Sequence, residues 1–330
     1  MSRDAQGFTN IGAGVVMPVR NASLLRVLYS GAILLGVIAM PRAHAQDCDR
    51  ACLRGVLESY LGAVFAHDPG AAPLAPDYRA TENAAPLENG ASLWRSALGY
   101  GAVGRHYFDV RAGQAAYYGL ISEGPGPAIV SLRLQVKSRR VAEAEWTVAR
   151  AAAGGMFSTE GLIANPPPAE TALPKEEQRS RTTLIATANA YFDALQRHDG
   201  SMVPHVEGCE RIENGVKVTH RESGAPAPAT GTATPAGSAP GVAQEARSGD
   251  CIAGFEAFAH SIAQTSHRRF PLIDEEAGVV MGATIFHRPP ESTLRRNLLT
   301  EYFFERKGKI AAIYAAMFYL APEAPDSPGW

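Results

Sequence analysis

The sequence is short of charge. Only 19% of its 330 residues are acidic or basic, and 31 Lys and Arg nearly cancel 33 Asp and Glu. No net positive field is available for a phosphate backbone, and no polybasic run lies beside an apolar face, so nucleic acid and anionic membrane surfaces are not expected as partners. Familiar enzyme signals are missing as well: there is no GxSxG elbow, no Walker loop, no dinucleotide fingerprint after a strand and no HExxH. Nucleotide, flavin and zinc therefore have no support, and neither a cofactor nor a metal is expected. Cysteine is scarce, and no CxxC or paired-histidine spacing accompanies the four present.

What is present begins with an export pattern. Arg20 and Arg26 precede an apolar stretch, Val27 to Met40, followed by the small-x-small site Ala43-His44-Ala45. Cleavage is expected before Gln46, and a start at Met17 would give a signal of ordinary length. The apolar stretch is shorter than the roughly 20 residues that span a bilayer. The mature chain is thus expected outside the cytoplasm, periplasmic or secreted, with no membrane attachment. All four cysteines lie beyond the cleavage site, where disulfides persist. Three pairings are open; the expected one joins Cys209 to Cys251 and Cys48 to Cys52.

The chain also contains a repeat. Residues 60–83 align without a gap with residues 191–214, sharing seven of 24 positions: Tyr60, Ala63, His67, Asp68, Pro73, Glu82 and Asn83 recur as Tyr191, Ala194, His198, Asp199, Pro204, Glu213 and Asn214. Asp109 to Gly119 echoes Asp274 to Gly282, and Val130 to Val148 echoes Leu299 to Ala316. Each copy opens with an apolar stripe of helical period, Val56-Leu57-Tyr60-Leu61-Val64 and Leu184-Ala188-Tyr191-Phe192-Leu195. Each closes in alternating strands, with Val130, Leu132, Leu134 and Val136 against Arg133, Gln135 and Lys137. Helices followed by an antiparallel sheet make an α+β fold in two tandem domains. The expected division is a signal peptide at 1–45, a first domain at 46–150, a linker at 151–180, a second domain at 181–322 and a tail at 323–330. A Pro/Ala/Gly/Thr tract at 223–249 interrupts the second domain and is too poor in large apolar residues to fold.

The helix ending in a polar pair, followed by an acidic strand, resembles the start of NTF2-like folds of the ketosteroid-isomerase and SnoaL kind. More specifically, residues 46–330 resemble an uncharacterised exported tandem NTF2-like family of fungi and bacteria, through Ala66-His67-Asp68-Pro69, Leu74-Ala75-Pro76, Tyr191-Phe192-Asp193-Ala194, Glu213-Asn214-Gly215, Arg268-Arg269-Phe270-Pro271, Asp274-Glu275 and Gly329-Trp330. The resemblance implies two cone-shaped domains and supplies no substrate. Aligned with a ketosteroid isomerase, Glu82 and Glu213 take the place of the catalytic carboxylate, a base that abstracts a proton beside a carbonyl.

Candidate catalytic residues are therefore Glu82 and Glu213, with Arg211 or a tyrosine stabilising developing negative charge. Strand alternation puts Arg211 and Cys209 on the face of Glu213, where an inward arginine would make the carboxylate a paired ion; Ala80 in the first copy leaves Glu82 freer. Asn83, Asn214, Trp94, Tyr60, Tyr191 and Tyr302 are the expected ligand-binding residues. Structural readings stand beside these: Glu82-Asn83 and Glu213-Asn214 as backbone partners at a strand edge, Trp94 and Trp146 as core, and Arg268, Arg269, Asp274 and Glu275 as a surface ion-pair network. The expected activity is a cofactor-independent lyase, isomerase or hydratase acting on a small apolar or aromatic molecule. A non-catalytic binder of a hydrophobic ligand and a structural module are the alternatives, and a homodimer is left open.

Overall fold

The computed structural model describes residues 48–124, 126–220 and 249–325. The expected signal peptide, all but Gly249 of the 223–249 tract and the last residues of the tail lie outside them.

Two six-stranded sheets with the same strand order dominate the fold. In the first half, α1 (Arg50–Phe65) precedes β1 (Leu74–Glu82), β2 (Ala85–Leu87), a short α2 (Leu93–Ser96), β3 (Ala97–Asp109), β4 (Gln114–Glu123), β5 (Ala128–Lys137) and β6 (Arg140–Ala149). A short α3 (Thr159–Ala164) follows. The second half repeats the plan with α4 (Arg181–Arg197), β7 (His205–Glu213), β8 (Val216–Lys217), β9 (Gln264–Asp274), β10 (Val279–His287), β11 (Asn297–Arg306) and β12 (Lys309–Tyr319). The orders are β2-β1-β6-β5-β4-β3 and β8-β7-β12-β11-β10-β9, with β1–β6 and β7–β12 parallel and the other pairs antiparallel. The chain is mixed α+β, in keeping with two tandem domains.

Sequence periodicity explains the helices. The stripe Leu53, Leu57, Tyr60, Leu61 and Val64 of α1 is buried against the first sheet, and Leu184, Ala188, Tyr191, Phe192 and Leu195 of α4 play the same part in the second. Asp49 caps α1 by accepting the N–H of Cys52 at 2.9 Å, and Ser180 caps α4. Both helices stop alike. His67 and His198 adopt left-handed conformations at φ 56°, and Asp68 and Asp199 accept the N–H groups of Gly70 and Ser201 at the next 3-10 turn. The histidines fasten this corner by donating to the carbonyls of Trp94 at 2.8 Å and Ile262 at 2.7 Å.

The face of each sheet turned away from its helix is not solvated. Tyr107, Tyr118, Ile129, Tyr302, Phe304 and Tyr314 belong to one buried cluster shared by both sheets. Arg133, expected on a polar outer face, is buried there and donates to Glu145, Glu143 and Gln114. Glu145 in turn is bonded to Arg269 of the second half. Asp274 is buried too and pairs with Arg50 at 2.9 Å, so two members of the network expected at the surface, Arg269 and Asp274, reach the other half, while Arg268 pairs with Asp193 of its own half. Removing one partner of a buried pair strands the other. The segment 151–180 is also built in rather than merely spanning, since Leu162 of α3 is fully buried in the shared cluster.

Both disulfides have the expected pairing, Cys48–Cys52 and Cys209–Cys251. Among the described residues no helix is long and apolar enough to cross a membrane, which says nothing of β-barrels.

Candidate functional site

The repeat places Glu82 and Glu213 equivalently, each at the end of the strand beside the last strand of its sheet. Register carries the comparison across each inner face. Glu82 lies opposite Trp146, which faces Leu132, then Tyr117, then His106. In the second sheet Glu213 lies opposite Ala315, then Glu301, then Gly282.

Neither expected base is free. Arg211 Nε stands 2.9 Å from Glu213 Oε1, and the buried guanidinium also donates to the Cys251 carbonyl at 3.0 Å and lies over the Phe258 ring. Glu82 is paired as well, by a longer contact: Arg150, just beyond β6, donates to its Oε1 at 3.3 Å while clasping Glu123. The other oxygen, Oε2, is buried without a hydrogen-bond partner.

The asparagines have structural duties. Asn83 Nδ2 donates to the Val148 carbonyl and Oδ1 accepts the Val148 N–H, at 3.2 and 2.8 Å; Asn214 does the same with Met317 at 2.9 and 2.7 Å. Both sit at positive φ, which asparagine tolerates better than most residues. Their amides lock a strand end instead of facing a ligand.

The expected aromatic ligands are packed. Tyr60 bonds Tyr78 at 2.8 Å and meets Trp94 edge-to-face, with Trp146 on its other side. Burial, only partly offset by these neighbours, pushes its phenol up to about 12. Tyr191 is enclosed by Phe192, Phe255 and Phe303. Tyr302 belongs to the inter-sheet cluster, where it bonds Ser131 at 2.8 Å; alternation along β11 turns it away from Glu301 and from the helix.

Glu301 is a carboxyl group the sequence reading overlooked. It is buried among apolar residues on the inner face of the second sheet, and Oε2 has no hydrogen-bond partner. Burial and then the charge of Glu213 push its pKa well above the usual carboxylate range, with Arg211 offsetting only part. The space over neighbouring Gly282 is occupied: a Cβ there would stand 3.0 Å from both Phe192 and Phe303.

Open space appears instead in the first half. A cleft of about 410 Å³ lies between α1 and β3–β4, lined by Glu58, Gly62, Phe65, Tyr100, Gly101, Gly104, His106 and Tyr117. A bulge shapes it: between Tyr100 and Gly104 the β3–β4 register shifts. Glycine is required at that bulge, because a Cβ on Gly101 would come within 2.4 Å of the Leu120 Cβ and one on Gly104 within 2.7 Å of the Tyr117 ring. Tyr117 donates to the Leu120 carbonyl at 2.8 Å, which holds its ring in the wall.

His106 is the cleft's distinctive group. Glu170, from the segment joining the halves, accepts both its backbone N–H at 2.7 Å and its ring Nδ1 at 2.8 Å, and is itself bonded by Arg54 at 2.9 Å. Burial works against charge on Glu170, but the bonds from His106 and Arg54 win and hold the carboxyl at about 2. An ionised carboxylate only accepts hydrogen bonds, so Nδ1 carries a hydrogen, and in the neutral form of the ring the lone pair lies at Nε2. That nitrogen is buried without a hydrogen-bond partner. Neither residue was singled out from the sequence, because a histidine in one strand and a glutamate in a proline-rich connection 64 residues later share no motif. Among the described residues no group of three or more His, Cys, Asp and Glu side chains is placed to hold a metal ion.

Residues 177–317 match a family model described as a domain of unknown function, DUF8021. That stretch takes in α4, the second sheet and all but the last residues of β12. No curated protein matches the chain.

Proposed function

We propose that this is an exported, tandem NTF2-like protein whose first half binds a small apolar or aromatic molecule in the α1–β3–β4 cleft and moves a proton on it without a cofactor, as a lyase, isomerase or hydratase. The NTF2-like part is supported by the repeated plan of a long helix, a 3-10 turn and a six-stranded sheet of one strand order. Export is supported by the two disulfides.

The observation that carries the chemical reading is the Glu170–His106 pair on the wall of an aromatic cleft. With Nδ1–H donated to Glu170, Nε2 takes a proton from an acidic C–H or O–H of the ligand, and the bond's electron pair stays on the ligand. The resulting imidazolium is stabilised by Glu170, and the same nitrogen returns the proton elsewhere on the molecule or to a departing group. Glu82 and Glu213, each paired with an arginine, are weaker candidates for the base. A carrier that leaves its ligand unchanged is the second reading, favoured by the shielding of Nε2 from solvent.

Mass spectrometry of the molecule recovered with the protein, before and after incubation, separates the two: a changed ligand means an enzyme. His106→Gln should then lower turnover by roughly 100- to 10,000-fold with folding intact. Full turnover in that variant would remove His106 from the chemistry.

A further inference from the structure

The cleft's chemistry also restricts what enters it. Its walls carry three aromatic rings, Phe65, Tyr100 and Tyr117, with Phe65 edge-on to Tyr100 at 4.9 Å and Tyr100 5.5 Å from Tyr117. Ring faces are electron-rich and attract cations. Besides the tyrosines, the ionisable lining side chains are Glu58 and His106; no lysine or arginine is among the lining residues. Glu58 has one long contact, 3.9 Å to Arg54 in the preceding helical turn, and that arginine is engaged more closely by Glu170 at 2.9 Å. His106 gives its Nδ1 hydrogen to Glu170 and leaves Nε2 unpartnered, the acceptor position of a neutral ring. The site thus presents a carboxylate, a lone pair and π-faces. Each of these welcomes a positively charged hydrogen-bond donor, and a carboxylate or phosphate would meet repulsion with no compensating cation.

We infer that the cleft takes an organic amine in its ammonium form, with an aromatic or aliphatic body lying among Phe65, Tyr100 and Tyr117 and its N–H groups shared between Glu58 and His106. This rests on the cleft's being the ligand site and names the ligand's class. Glu58 is half in solvent, so water and salt moderate its pull. The expected discrimination is accordingly about tenfold rather than thousandfold.

The test is titration of the full mature protein with benzylammonium, benzyl alcohol and benzoate, followed by the NMR signals of His106 and the Tyr100 and Tyr117 rings. Benzylammonium should bind about tenfold more tightly than benzyl alcohol, with benzoate weakest, and Glu58→Gln should remove most of that advantage while leaving benzyl alcohol unaffected. Benzyltrimethylammonium, a cation without an N–H, should keep the part due to Glu58 and the ring faces and lose only what the N–H groups add. Benzoate binding as tightly as the amine, or an amine preference unchanged in Glu58→Gln, overturns the ligand class and leaves the cleft standing as a site for neutral rings. Failure of all three benzyl compounds to shift any cleft signal overturns both.

Discussion

Asp109 and Asp274 hold each other's strands. Oδ2 of Asp109 accepts the backbone N–H of Ile273 at 2.9 Å, and Oδ2 of Asp274 accepts that of Phe108 at 3.0 Å, so each carboxylate bonds the residue just before the other. The helices cross in the same way. Arg181, first in α4, pairs with Asp109 of the first half, while Arg50, first in α1, pairs with Asp274 of the second. The halves are therefore joined by a clasp in which every charge is answered from the opposite copy.

Breaking one arm of the clasp should be expensive. Asp109→Asn leaves Arg181 without its anion, and Asp274→Asn leaves Arg50 only its 3.6 Å contact to Glu276; with both arginines partly exposed the cost is roughly 2–3 kcal/mol. Urea denaturation should show a lower midpoint and still a single transition, because the inter-sheet cluster makes both halves unfold together. Two separated transitions in either variant would show that the halves are independent.

The two disulfides should differ in worth. Closing the 42-residue separation of Cys209 and Cys251 restricts the unfolded chain far more than closing the four-residue separation of Cys48 and Cys52. Loop entropy alone gives about 4 kcal/mol for the first and about 2 kcal/mol for the second. Serine substitution of each pair, compared by denaturation, should preserve that order.

A carboxyl group on β11 makes stability depend on pH. Glu305 is buried, with neither oxygen hydrogen-bonded within the usual limits, and burial raises its pKa from 4.5 to about 9, the Thr187 hydroxyl offsetting only part. Because the folded-state value lies above the unfolded one, its favourable contribution is complete in acid and drains away as pH rises from about 4.5 towards about 9. By pH 7 the loss is on the order of 3 kcal/mol. Glu305→Gln should flatten the melting temperature across that interval, and an unchanged pH profile would show that the carboxyl is already ionised.

The glycines of the β3 bulge should separate stability from binding. Gly101→Ala drives a Cβ into the backbone and Cβ of Leu120 and should cost about 1–3 kcal/mol. Gly104→Ala meets the ring and hydroxyl of Tyr117, so it should break the Tyr117–Leu120 bond and move that ring within the cleft wall, costing binding as well as stability. Denaturation together with benzyl alcohol titration would distinguish the two.

Much of this architecture was legible in residue patterns. The stripes of α1 and α4 and the polar pairs that end them follow from periods and turn chemistry that act over a few residues. The clasp was half visible: Asp109 and Asp274 matched as repeats, but alignment cannot say that each pairs with an arginine of the other copy. Arg133 and Gln135 alternated like solvent-facing residues because an ion-paired interface and a wet surface use the same side chains. Glu82 looked free because its partner, Arg150, reaches it only after three hairpins have closed. Glu301 could have been noticed as the one acidic residue between inward Leu299 and Phe303. His106 could not, since its meaning comes from Glu170.

Glu170 has a consequence of its own. It lies in neither repeat but in the stretch of chain that splices them. A single copy ending at β6 would lack the anchor that fixes the imidazole, so that feature of the cleft depends on the chain between the halves. Chains sharing both repeats but differing in the splice would be expected to keep the scaffold and diverge in what they do with it.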